Sequence, residues 1–209
     1  AIYNGVDAEN HFNPANYPPR EQLIDSLSLP GNSKIITFIG RITEVKRPQD
    51  FVTLAREFKN DPSLFFLMLG DGDLTGFIED MIKREELSNI KLVGFTDKVP
   101  EYLKASHVLI LPSITEGLPL TIQEALAMEV PVIASNVGET GTIIRDGYNG
   151  FIVEPMKTNQ FVEKIKLLLD NPELYEKIKA NCKESVIDKF SLERMIKDYE
   201  KLFSTLLPD

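Results

Sequence analysis

Six short runs rich in Ile, Val, Leu and Phe, at 34–40, 64–70, 90–94, 107–113, 131–135 and 150–155, constrain the fold of this 209-residue chain more than any other feature. Most lack the polar–apolar alternation of a strand with one wet face. Each therefore reads as a strand covered on both sides, as in a parallel sheet. Helical patterns at 48–60, 74–87, 99–105 and 119–128 lie between them. This strand–helix rhythm predicts an α/β fold with a doubly wound, Rossmann-like parallel sheet. In such folds ligands sit at the carboxyl ends of the strands, near the topological switch point. After Pro155 the pattern turns wholly helical: 159–171, then 172–190 with Pro172 at the first helical position, then 191–207 with Ser191 as N-cap. The expected organisation is one domain over 1–209. Residues 1–33 form a linker-like start and first helix, and 156–209 a helical C-terminal tail.

Composition removes several functional classes. A single cysteine, Cys182, rules out an internal disulfide and points to a reducing compartment, with the thiol packed as an apolar group. Twenty-three basic against thirty-two acidic residues give a net charge of −9, which argues against nucleic acid as a partner. All of that charge falls in residues 1–155, because 156–209 carries ten residues of each sign. No apolar run approaches the ~20 residues of a bilayer span. Membrane contact through this part is not expected, and the expected location is cytoplasmic. The chain opens at Ala1 without a signal pattern and reads as a piece of something longer. His11 and His107 have no metal-ligand cluster around them and read as structural; no metal site is expected.

Three loops at strand ends carry the chemistry. The first holds Gly40 and Arg41, then Lys46, Arg47 and Pro48 before a helix. A glycine and three cations at a sheet's carboxyl edge suit a phosphate group, against the alternative of solvated loop charges. It is neither a Gly-x-Gly-x-x-Gly fingerprint nor a Walker loop, which sets aside a nicotinamide dehydrogenase. The second, Gly70-Asp71-Gly72-Asp73, reads first as a tight turn in which Asp73 caps the next helix. The third runs from Pro112 through Glu116, Gly117, Leu118, Pro119, Leu120 and Thr121 to Glu124. Pro119 suits the first helical position, which places Glu116 in the loop and Glu124 inside the helix. Fully helical residues eight apart would lie ~12 Å apart along the axis, which fits opposite ends of an elongated ligand rather than an acid/base pair. Free amides between the two carboxylates form an anion site. The competing reading makes Glu116 a helix-dipole charge and Glu124 the partner of a Lys or Arg.

Taken together and in order, Ile2-Tyr3-Asn4-Gly5-Val6-Asp7, Gly40-Arg41 with Lys46, Gly70-Asp71-Gly72, Val93-Gly94-Phe95, Leu111-Pro112-Ser113, the Glu116 to Glu124 segment and Pro131-Val132-Ile133-Ala134-Ser135 resemble group 1 (family 4) glycosyltransferases over essentially the whole chain. The resemblance is to the C-terminal, nucleotide-sugar-binding half of a two-domain GT-B enzyme, with the N-terminal acceptor domain not included. It implies a donor site in a retaining, metal-independent hexosyltransferase, as in polysaccharide biosynthesis. The donor is a nucleoside-diphosphate sugar, UDP ahead of GDP or ADP, and no cofactor is implied. Arg41 and Lys46 match the basic pair on the diphosphate, and Glu116 the glutamate on the donor sugar; these three form the implied catalytic set. Glu124 matches the glutamate on the ribose. Gly40, Gly70, Asp71, Gly72, Val93, Phe95, Gly117, Leu118, Leu120 and Thr121 complete the donor-binding set, with Val93 and Phe95 at the base.

Two departures stand out. Family members often have Glu-Lys-Gly where this chain has Val45-Lys46-Arg47, so Arg47 either adds a phosphate contact or faces solvent. Thr142 stands where a glutamate is common, which leaves a non-catalytic nucleotide-sugar-binding or regulatory module as the alternative function. Finally, Leu192, Met195, Tyr199, Leu202, Phe203 and Leu206 form a helical stripe expected to reach toward the acceptor lobe, unless it packs wholly within this domain.

Overall fold

Strand β1 (Lys34–Ile39) shows why alternation is absent from the sequence. Ile35 and Ile39 enter one hydrophobic core while Ile36 and Phe38 enter another, so both faces demand apolar side chains. The same division holds in β2 (Leu64–Leu69), where Leu67 and Leu69 face one core and Phe66 and Met68 the other. In β4 (Val108–Leu111) it separates Leu109 and Leu111 from Val108 and Ile110. With β3 (Ile90–Gly94), β5 (Val132–Ser135) and β6 (Gly150–Val153) these strands form one parallel six-stranded sheet. Its order is β3-β2-β1-β4-β5-β6, the doubly wound arrangement expected from the sequence. The winding reverses between β1 and β4, so a crevice opens outside their carboxyl ends.

The computed structural model describes residues 2–206. Its helices are α1 (Arg20–Ser26), α2 (Pro48–Glu57), α3 (Thr75–Arg84), α4 (Val99–Ala105), α5 (Leu120–Ala127), α6 (Thr140–Ile143), α7 (Thr158–Asp170), α8 (Pro172–Phe190) and α9 (Leu192–Leu206). Helix α8 starts as its sequence requires: Pro172 is at the first turn and the Asn171 side chain accepts from the Leu174 amide at 3.0 Å. Ser191 Oγ accepts from the Arg194 amide at 3.2 Å, which caps α9. Leu207, expected as the end of α9, lies outside the described residues. Helix α5 begins one residue later than expected. Pro119 keeps an extended ψ of 107° and is the N-cap, not the first helical residue. Asp73 does not cap α3; Leu74 occupies that position without a side-chain cap.

Outside the sheet, the first residues fasten the tail. The Val6 amide donates to the Phe190 carbonyl at 2.8 Å and the Leu192 amide to the Val6 carbonyl at 3.0 Å. Arg194 Nη2 adds a bond to the Tyr3 carbonyl at 2.7 Å. Helix α9 buries none of its side chains, and Tyr199, Leu202, Phe203 and Leu206 are exposed. The stripe therefore does not pack wholly within the domain. Among the described residues no helix is long and apolar enough to cross a membrane. Cys182 is fully buried, its thiol pushed up by desolvation. His107 Nδ1 accepts the Ile35 amide at 3.1 Å, while burial and then the neighbouring Arg20, Lys34 and Lys179 hold the ring near pKa 4 and neutral.

Candidate functional site

The loop leaving β1 and the loop leaving β4 meet across the switch point. A single 3-10 turn, Glu44–Lys46, follows Gly40 and Arg41. Its Val45 carbonyl accepts the Ile114 amide at 2.9 Å, which ties the two loops together. This brings Lys46 onto Glu116: Nζ lies 2.6 Å from Oε1 and 2.8 Å from Oε2. Ser113, fully buried, donates its hydroxyl to the same Oε1 at 2.6 Å. Side-chain exposure is 19% for Lys46 and 7% for Glu116, so the pair is largely withdrawn from water. Of the two glutamates, then, it is Glu116 that has a cationic partner, and the competing sequence reading assigned that partner to Glu124.

Glu124 has no hydrogen-bond or ion-pair partner for its carboxylate among the described residues. It stands half-buried on α5, and desolvation pushes its pKa up from 4.5 to about 6. Between the glutamates, the amides of Gly117, Leu118, Leu120 and Thr121 donate to no acceptor among the described residues, because the first bond of the helix turn is from Ile122 to Pro119. An unpaired carboxylate, free amides and a paired carboxylate thus line one stretch of chain at the sheet's carboxyl edge.

The loop following β5 holds this stretch in place. The Glu139 amide donates to the Gly117 carbonyl at 3.0 Å, and Gly138, at φ +52°, lies so close that a Cβ there would overlap the Glu116 carbonyl oxygen. Gly138→Ala meets both a left-handed backbone and a rigid neighbour. It is expected to cost at least about 2 kcal/mol in urea unfolding and to displace Glu116. Unchanged stability would show that the loop gives way freely.

Toward β3 the crevice continues as a cleft of about 220 Å³ lined by Ile39, Gly40, Arg41, Leu69, Gly70, Asp71, Phe95, Thr96 and Val99. Arg41 is exposed at its edge with no ion-pair partner among the described residues, and Phe95 is 86% exposed. Val93 instead packs against the hydrophobic core. The glycines of this region are explained by backbone contact: a Cβ on Gly70, at φ +131°, would overlap the Gly40 carbonyl, and one on Gly72 would crowd that of Ile42. Asp71 makes the turn, accepting from Thr75 Oγ1 and the Gly72 amide at 2.7 Å each, and these bonds lower its pKa. Arg47 neither reaches the crevice nor faces solvent freely. It is left-handed at φ +54°, and its guanidinium grips Asp50 at 3.0 and 2.9 Å. Thr142 donates its hydroxyl to the Glu139 carboxylate at 2.6 Å. The sequence reading assigned no role to Ser113, Gly138 or the Val45 carbonyl. Ser113 was named within the Leu111-Pro112-Ser113 motif, but nothing along the chain tied its hydroxyl to Glu116, three residues on.

The fold is shared with known proteins. The family model described as glycosyl transferases group 1 matches residues 19–185. The chain belongs to this family. A glycosyltransferase of Methanocaldococcus jannaschii, itself uncharacterized, is 32% identical over 98% of this chain and 53% of its own length. The UDP-Gal:alpha-D-GlcNAc-diphosphoundecaprenol alpha-1,3-galactosyltransferase of Escherichia coli is 29% identical over 97% of this chain and 53% of its own. A crystal structure of a glycosyltransferase from Rickettsia africae superposes with a TM-score of 0.89 at 27% identity, covering all of this chain and 57% of that one. The group 1 chain thus has the α/β half-fold of GT-B glycosyltransferases and spans about half the length of the curated relatives it matches.

Proposed function

We propose that this group 1 chain is the donor-binding half of a retaining glycosyltransferase acting on a nucleoside-diphosphate sugar, with UDP as the nucleotide. The observation that carries this reading is the unpaired, desolvated Glu124 beside four free amides and the Lys46–Glu116 pair. A half-buried carboxylate with no partner among the described residues is disfavoured in its charged form, and a ribose supplies two hydroxyl donors to it. The amides of Gly117, Leu118, Leu120 and Thr121, with Arg41 and Lys46, neutralise a diphosphate, and Glu116 accepts from hydroxyls of the sugar. Charge growing on the leaving diphosphate is then met by fixed cations and dipoles, a role that does not require a divalent ion. The base occupies the apolar cleft beside Phe95. UDP is favoured because the Escherichia coli relative is named for a UDP-linked donor.

The acceptor and any group that activates it belong to the other half of the protein. The uncovered stripe of α9, with Tyr199 and Phe203 stacked 6.2 Å apart, is where that half docks. The expected outcome is therefore that this chain alone binds the nucleotide but transfers no sugar, whereas the full-length protein transfers in the presence of a chelator and yields a product with the donor's anomeric configuration. Radiolabelled donor assays and product NMR check both statements. Transfer by this chain alone, or loss of full-length turnover on chelation, contradicts the assignment.

A further inference from the structure

We infer that Ser113 is a positioning residue for Glu116, holding its carboxylate in place while the donor diphosphate draws Lys46 away; the inference rests on the donor-site reading above. Among the described residues, Oε1 of Glu116 accepts two bonds, from Ser113 Oγ at 2.6 Å and from Lys46 Nζ at 2.6 Å, whereas Oε2 accepts from Lys46 alone at 2.8 Å. The two donors are not equivalent. Lys46 is a charged, rotatable ammonium at the rim of the crevice, and a diphosphate competes for it directly. Ser113 is fully buried two residues past β4, makes this one side-chain bond among the described residues, and cannot follow a ligand. Once Lys46 turns to the diphosphate, the serine hydroxyl is the side-chain donor that remains on Glu116. It keeps hold of Oε1 and leaves Oε2 free for a sugar hydroxyl.

The backbone around the carboxylate is already fixed by the Val45 carbonyl on one side and the close approach of Gly138 on the other. Side-chain rotation is the freedom left to Glu116, and that is what one hydrogen bond at Oε1 removes. Without it, the Glu116 side chain is free to turn away from the position in which it meets a sugar hydroxyl, while Lys46 remains available to the diphosphate.

Ser113→Ala separates the two ligands that share this site. Calorimetric titration of the purified chain with UDP and with UDP-glucose reads the effect, and the thermal midpoint confirms folding. The expected result is UDP affinity unchanged within about twofold and UDP-glucose affinity reduced roughly tenfold, the loss of one charge-assisted hydrogen bond. Ser113→Thr, which keeps the hydroxyl, should restore much of the difference. Equal losses for both ligands would mean a merely structural serine, and wild-type affinity for both would mean no role; either overturns the inference. Failure of the donor-site reading is distinct, because the wild-type chain would then bind neither ligand.

Discussion

Glu124→Gln should make the protein more stable and nearly unable to bind its nucleotide. The carboxyl has no partner among the described residues, and partial burial raises its pKa from 4.5 to about 6. That shift corresponds to about 2 kcal/mol of penalty for the ionised form in the folded chain. The sign follows from proton binding. Between the unfolded value and about 6 the folded chain holds more protons than the unfolded one, so wild-type stability falls as pH rises through this window. The amide has no such dependence. Urea unfolding should give equal stabilities below pH 4.5 and a gap opening toward about 2 kcal/mol in favour of Glu124→Gln at pH 7. Nucleotide affinity should move the other way, weakening by roughly 10- to 100-fold because hydroxyl donors lose a charged acceptor. A variant no more stable than wild type at neutral pH would show that Glu124 is solvated after all. This is the trade expected where a site is held unsatisfied for a ligand.

Lys46→Ala should do the opposite, destabilising and inactivating together. It leaves the Glu116 carboxylate, 7% exposed, with the Ser113 hydroxyl as its one side-chain donor among the described residues. Removing one member of a withdrawn ion pair strands the other charge, and about 2–3 kcal/mol of stability should be lost, between the values for exposed and fully buried pairs. Removing both charges, in Lys46→Ala with Glu116→Ala, should cost less than Lys46→Ala alone. That order identifies the stranded charge rather than lost packing as the cause. In the full-length protein, turnover should fall about 100- to 1000-fold, the usual cost of removing one donor to a developing negative charge. If Lys46→Ala unfolds at the wild-type urea concentration, the pair carries no stability and its role is confined to the ligand.

What was legible in the sequence was what depends on neighbours along the chain. Strands such as β1 announced themselves because both faces are apolar, and Pro172 and Ser191 marked helix starts through local chemistry. The start of α5 was off by one because Pro119 suits both the N-cap and the first turn, and its ψ is set by the loop that Gly138 presses on. Candidate residues for the site could be named from their positions at strand ends, but which of them pair could not. Lys46 and Glu116 are 70 positions apart, and only the β1–β4 adjacency brings them together. For the same reason Glu124 did not reveal itself as the unpaired member, since isolation is a property of the fold. Arg47, left open between a phosphate contact and solvent, took neither course: the structure commits it to Asp50.

The most direct test is calorimetric titration of this chain with UDP, GDP, ADP and NADH, alongside Glu124→Ala and Arg41→Ala. The expected result is that UDP binds more tightly than the other three and that both substitutions weaken it, which places the nucleotide between the β1 and β4 strand ends. Binding of NADH ahead of every diphosphate, or UDP binding that neither substitution weakens, would contradict a donor site at this crevice.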